Sequence, residues 1–324
     1  MPGGTTASQV APFLRADIEK PLPLWSDEDL THEGDDLVGK NKVTNTQSFI
    51  KLQQGTRPIA PKPVNPSESL PTGSYNKSYS ATYSAQKYGL LLTFERELWK
   101  DNQYRSTIIG AYMNDLLDLC HDVRDQALVN EFFNLADTNL GPDGVAYIAT
   151  NHPLEAEAAE FTDGFDGNTA NTALYSNEIP NNPTASTAAL NAGVSLLKRQ
   201  RDSKGQIMAG LPPVQVECAD AMEVIWRSIA VPVNGYEPFT TDRNSGKVYS
   251  AFISKVVGLT RATHAQRFIL RAAKHRRFVW DRETPEVSEL EYVKRNDTFR
   301  CNVIFRLAKG IFDWRYFCGS LAGS

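Results

Sequence analysis

The chain has 324 residues, 41% of them hydrophobic, enough to bury one large core or two of ordinary size. Lys and Arg number 34 against 38 Asp and Glu, a net charge of −4, so no bulk field draws the protein to nucleic acid or to an anionic membrane. No stretch approaches the ~18 consecutive apolar residues of a membrane span, and MPGGTTASQVAPFLRADIEK at the start lacks a signal-peptide core, which predicts a protein made and kept in the cytosol.

Residues 1–52 hold few apolar residues at any period, with Pro2, Pro12, Pro21 and Pro23 and the acidic run SDEDLTHEGDD at 26–36. Such a segment cannot form a core alone and reads as an extended arm, either disordered or ordered by lying on another surface. A short helix fits 10–20. Residues 53–92 begin with a loop punctuated by five prolines, after which SYNKSYSATYSAQKYG alternates with period two. Tyr75, Tyr79, Ala81, Tyr83 and Ala85 share one face; Asn, Ser, Thr and Gln occupy the other. A two-stranded ribbon of this kind has no core of its own, so it docks on something else, either another protein or the edge of its own domain. YGLLLTF at 88–94 reads as a buried strand.

The longest helical pattern covers 101–136, about 50 Å if unbroken. Ile108, Tyr112, Leu116, Leu119, Val123, Ala127 and Leu135 recur at three- and four-residue steps, which predicts the buried stripe. Asp115, Asp118, Asp122, Arg124, Asp125 and Glu131 predict the wet face, Asp101 or Asn102 the N-cap, and Asn139-Leu140-Gly141-Pro142 the stop. The stripe lacks heptads and is too charged for lipid, leaving the role of a scaffold around which a large domain is built.

After a turn and short strand at 141–154 and an acidic loop at 155–185, Ser186 or Thr187 caps a helix over 188–201. A strand at 213–218 and a helix at 219–230 follow, then strands at 248–260, 267–273 and 276–282. Residues 296–320 read as two strands broken near Ala308-Lys309-Gly310. Helix first, mixed elements next and a β-rich end, without strict βαβ alternation, predict an α+β fold.

Signatures of catalysis are weak. Gly34 through Asn41 nearly matches a phosphate-binding loop, but Asn41 stands where a magnesium-binding hydroxyl is needed and no strand precedes it. His32, His121, His152, His264 and His275 have no metal-sharing spacing, and Cys120, Cys218, Cys301 and Cys318 form no CxxC pair, so four reduced thiols and no zinc site are expected. Asp137, Asn139, Gly141 and Asp143 imitate a calcium loop but lack its closing glutamate. Lys198, Arg199, Arg201 and Lys204 crowd one helix end, and Lys274, His275, Arg276 and Arg277 form a second basic cluster. The first suits the negative end of a helix dipole and is also the candidate phosphate contact.

Taken in order, YGLLLTFERELWKDNQY, NHPL, STAALNAGVSLLKRQRDSKG, PPVQVECADAMEVIW and IFRLAKGIFDWRYF make the chain resemble major capsid proteins of tailed phages with the Hong Kong 97 fold, in the branch of Mu-like major head subunits. The resemblance covers about 75–320 and implies an N-terminal arm at 1–52 and an extended β-hairpin loop at 53–92. It further implies a peripheral domain at 93–185 built on the spine helix, an axial domain at 186–275, peripheral return strands at 276–308, and a final axial strand and tail at 309–324. The implied function is that of a non-enzymatic shell subunit without cofactors or metals, forming pentamers and hexamers around packaged double-stranded DNA in the virion after assembly in the bacterial host cytoplasm. Implied partners are other copies of the chain, a separate scaffolding protein, a portal protein and a candidate decoration protein, with no membrane. Phe13 and Leu14 in the arm and Tyr75, Tyr79 and Tyr83 in the loop are the expected subunit contacts. Lys77 and Lys87 match no crosslinking motif. The rivals are an encapsulin-type compartment, a monomeric α+β enzyme using His121, Asp122 or His152, and an adaptor for one heterologous partner.

Overall fold

One four-stranded sheet divides two apolar cores, and the alternation of its strands decides which residue enters which core. The structure, a computed structural model, describes residues 33–38, 49–55, 69, 77–95, 105–153, 174–200, 213–230, 253–273, 277–287 and 291–323. The dividing sheet consists of β6 (Pro213–Ala219), β7 (Lys255–Leu259), β8 (Phe268–Ala272) and β12 (Phe317–Ser320), in the order β12-β8-β6-β7. Its β6–β7 pair is parallel, whereas β6–β8 and β8–β12 are antiparallel. Because successive side chains point to opposite faces, Val256, Phe268, Leu270 and Cys318 enter one core while Val257, Ile269 and Phe317 enter the other.

The first core lies under helices α3 (Thr187–Arg199) and α4 (Asp220–Ala230), counted after α1 (Glu33–Val38) and α2 (Arg105–Val129). Leu190, Val194, Leu197 and Trp226 fill it. Helix α3 starts where Ser186 Oγ accepts a 3.1 Å bond from Ala189 N, resolving the choice of N-cap. Its Gly193 is set against Leu270, leaving no room for a Cβ.

The second core is built between α1, α2 and a further sheet of β3 (Gln86–Glu95), β9 (Arg277–Val287), β10 (Glu291–Val293) and β11 (Thr298–Ile311). Strand β11 pairs with β3 along one edge, from Thr298↔Glu95 to Leu307↔Gln86, and with β10 and β9 along the other. The expected break at 308–310 does not occur. Ala308, Lys309 and Gly310 stay in register with Trp280, Val279 and Phe278, and Lys309 Nζ reaches Ala127 O at 3.0 Å. The chain breaks instead at a 3₁₀ turn over Trp314–Tyr316. Strand β3 is likewise not the buried strand expected: it is an edge strand, with Leu90 43% and Leu91 56% exposed.

The spine helix departs from expectation in two ways. It is α-helical to Val129 and closes with a π-helical turn, Asn130–Asn134, two residues short of the expected end at 136. The reason is tertiary: Arg267, fully buried, donates to the terminal carbonyls of Phe133 at 2.8 Å and Asn134 at 2.6 Å, satisfying groups that would otherwise need another helical turn. The wet and dry faces also differ. Leu119 and Leu135 are exposed, whereas Cys120, His121, Arg124 and Asp125 are buried with Leu128. Helix α1 covers this side of α2: Asp35 pairs with Arg124 at 3.0 Å, and Gly34 approaches so closely that a Cβ would lie 2.6 Å from Leu128 Cδ1. Gly34 therefore belongs to a helix contact and not to a phosphate loop. The caps proposed at Asp101 or Asn102 and the helix proposed at 10–20 lie outside the described residues.

Candidate subunit-contact site

The tyrosine-bearing ribbon is an antiparallel pair of β1 (Phe49–Gly55) and β2 (Lys77–Ser84), in register from Phe49↔Ser84 to Leu52↔Ala81. Tyr79, Ala81, Tyr83 and Ala85 are half-buried on one side, and Ser80, Thr82 and Ser84 are exposed on the other, as the alternation predicts. Tyr79 donates its hydroxyl to Pro153 O at 3.4 Å and Tyr83 donates to Ile311 O at 3.2 Å. Burial pushes the Tyr83 phenol up to about 12, with Glu131 and Asp143 adding to the rise and the Ile311 bond opposing it. Both rings thus tie the ribbon to the chain's own body and leave its hydroxyl-rich face turned outward. Phe13, Leu14 and Tyr75 lie outside the described residues, as do Arg201 and Lys204.

Lys198 and Arg199 are exposed at the C-terminal end of α3, where the helix carbonyls favour positive charge. The second basic cluster fares differently. Arg277 is buried, donating to Glu217 at 2.6 Å and lying over the Phe317 ring at 4.4 Å, so it is no surface phosphate ligand.

Sequence reasoning missed this buried charge cluster and the docking of α1 that it supports. Glu217 also faces Arg271 Nε at 3.7 Å, and Arg271 donates to Gln215 Oε1. Burial pulls Arg271 down to about 10 even though Glu217 opposes the fall. Gln215 and Arg277 then donate to the α1 carbonyls of Asp36 at 3.2 Å and Leu37 at 3.4 Å. The acidic side of α1 is shared between α2 and the β7 strand with its following turn: Glu33 accepts from Thr260 N at 3.0 Å, Asp35 holds Arg124, and Asp36 holds Lys255. A glutamate inside the apolar run VQVECA was the available signal, because an ionised side chain in a buried strand requires a partner.

The histidines considered for chemistry are held apart on different elements. His121 is buried on α2, and the neighbouring Asp122 pairs with Arg261 at 2.6 Å. His152, in the short strand β4 (His152–Pro153) that pairs with β5 (Leu174–Tyr175), is fully enclosed. Its Nδ1 meets Asp143 at 2.6 Å, its Nε2 meets Asn177 Oδ1 at 3.1 Å, and its ring stacks on Trp314 at 3.8 Å. Asn177 is itself fixed, accepting from Ala149 N and donating to Tyr147 O, so the cluster locks a turn. Burial raises the Cys120 thiol to about 11 and the Cys218 thiol to about 12, which leaves both as packing groups. No group of three or more His, Cys, Asp or Glu suited to a metal occurs among the described residues.

Among the described residues, two of the places where apolar surface lies open adjoin the β3–β11 pair. One is a groove of about 570 Å³ between α2 and the β3–β11 pair, lined by Tyr88, Leu119, Val123, Leu135, Arg261 and Lys309. The other is the outer edge of β3.

No family model matches the sequence, and no curated protein does. Solved structures do match. The chain is similar to the capsid of the native GTA particle at 9% identity, with 89% of each chain covered and a TM-score of 0.54. It is similar to the capsid of the empty GTA particle at 9% identity, 89% of each chain and a TM-score of 0.52. It is also similar to a chain of Microbacterium phage Oxtober96 at 11% identity, covering 94% of this chain and 97% of that one, with a TM-score of 0.50. At such identities the likeness is one of fold: the mixed helix and sheet architecture is similar to that of these capsid chains.

Proposed function

We propose that this chain is the major capsid protein of a tailed double-stranded DNA phage, with the Hong Kong 97 fold and in the Mu-like branch, and that it acts as a shell subunit and not as an enzyme. The observation that carries the reading is the fold likeness to the GTA capsid chains over 89% of each chain. The open groove beside α2 and the outer edge of β3, unpaired among the described residues, support it, because exposed apolar surface calls for a partner.

In this reading residues 1–52 are an arm anchored by α1, and the ribbon of β1 and β2 is the extended loop. The sheet of β3, β9, β10 and β11 with the spine helix forms the peripheral domain, and the dividing sheet with α3 and α4 forms the axial domain. The subunit closes into pentamers and hexamers, assembles in the bacterial cytoplasm with a separate scaffolding protein and a portal, and encloses the genome in the virion. A decoration protein is a further candidate partner. Lys198 and Arg199 are the described members of the candidate phosphate contact.

The test is light scattering with negative-stain microscopy on the chain expressed alone and with its scaffolding protein. Closed particles or free hexamers and pentamers are expected. Persistent monomer in the presence of scaffold would refute the reading. Tyr79→Asp removes the tie to Pro153 and is expected to leave a soluble subunit that makes no shells; an unchanged shell yield would remove the ribbon from the assembly argument.

A further inference from the structure

The outer edge of β3 presents ten residues, QKYGLLLTFE, whose second edge has no strand partner among the described residues. An uncovered edge of this length is a template for another strand. Its protection is confined to the ends, where Lys87 and Glu95 are charged and exposed: proline is absent, and consecutive leucines at 90 and 91 are both substantially exposed. Leu91 is out of place on its own face. Register puts it with Gly89, Thr93 and Glu95, opposite Asn302 of β11 and flanked there by Arg300 and Ile304, and it is still 56% exposed.

The occupant can be read from the order of residues along the strand. Antiparallel pairing of β3 with a second β3 about a twofold axis at Leu91 sets Leu91 against Leu91 of the partner subunit. It sets Lys87 opposite Glu95 at both ends, with Gly89 opposite Thr93 between them. On the other face it sets Tyr88 opposite position 94 and Leu90 opposite Leu92. Every charged position therefore meets its opposite sign and every apolar position meets an apolar one, which is the pattern that stabilises cross-strand pairs. Shifting the register by one residue would break both charge pairs while leucine still faced leucine, so it is the charges at 87 and 95 that fix the register. A heterologous strand has no reason to carry this particular mirrored order, whereas a second copy of the chain carries it by construction.

We infer that β3 is an isologous dimer contact, through which two copies of this chain join their β3–β11 sheets edge to edge across a twofold axis at Leu91. The contact closes on itself and so yields a dimer and not a fibre. It goes beyond the shell reading and rests on the strand alone; in a shell it would be a twofold junction between capsomers.

The test is disulfide mapping on the full chain. Leu91→Cys, mildly oxidised, is expected to give a covalent dimer at twice 36.0 kDa on a non-reducing gel. Lys87→Cys, whose twofold mate lies eight positions out of register, is expected to stay single. Charge reversal provides a second arm, read by sedimentation equilibrium. Lys87→Glu and Glu95→Lys are each expected to weaken dimerisation about tenfold, and the double variant is expected to recover to within about threefold, since it rebuilds both pairs in the opposite sense. Equal crosslinking at 87 and 91, no crosslinking at 91, or a double variant no better than either single would overturn the inference. Crosslinked dimers without shells would uphold this contact and count against the shell reading. Shells without the Leu91→Cys crosslink would do the reverse.

Discussion

Glu217→Gln isolates a fully buried carboxylate shared by two arginines. In the native chain Glu217 lies 2.6 Å from Arg277 and 3.7 Å from Arg271, and all three side chains are buried. Two unit charges about 4 Å apart attract by about 4 kcal/mol at an effective dielectric near 20, so the carboxylate supplies about 8 kcal/mol of gross attraction, much of it offset by its own desolvation. Glutamine keeps the volume and an acceptor but removes the charge, leaving two buried guanidinium groups facing each other. Removing one partner of such a cluster costs about 3–5 kcal/mol, because the charge left behind has no compensation. Urea unfolding followed by tryptophan fluorescence should show a midpoint lowered by roughly 1–2 M. Arg300→Gln serves as the internal comparison, since it removes the exposed Glu291–Arg300 pair, 2.7 Å apart. That change should cost no more than about 1 kcal/mol. If Glu217→Gln cost as little as Arg300→Gln, the cluster would not be the electrostatic anchor of α1 and of the two cores.

Two further outcomes follow from local geometry. Tyr83 ionises at about 12 when folded against 10.0 as a free phenol, so between those values the unfolded chain holds fewer protons than the folded one and stability falls as pH rises. Tyr83→Phe should flatten the pH dependence of stability in that window, and an unchanged slope would mean that the ring is not buried against Ile311. Gly193→Ala in α3 sets two effects against each other: alanine favours a helix by about 1 kcal/mol, while crowding in a well-packed core costs about 1–3 kcal/mol. With Leu270 and Ile179 in the way, the melting temperature should drop, reflecting a net loss of up to about 2 kcal/mol. A rise in melting temperature would show that Leu270 has room to turn aside.

Much of the fold was legible because it is local. The period-two pattern of 75–86 marks a ribbon, Ser186 followed by an apolar helix marks an N-cap, and the run from Phe299 to Leu307 marks a long strand; each is fixed by the geometry of a few successive residues. The candidate contact residues were legible only as a face. The alternation places Tyr79 and Tyr83 together, but nothing local reveals that their hydroxyls reach Pro153 and Ile311, which lie 74 and 228 positions away.

What the sequence by itself determined is therefore the set of elements, their order and the absence of familiar catalytic spacing. Tertiary structure decided which charges are buried, where the spine helix stops and which strand is left uncovered. Arg124 and Asp125 look wet until α1 lies over them. The helix looks continuous to 136 until Arg267 takes its last carbonyls, and YGLLLTF looks like a core strand until β11 proves to cover only one of its edges. In each case the deciding partner comes from more than 80 positions away, and a periodicity reports only how a segment faces itself.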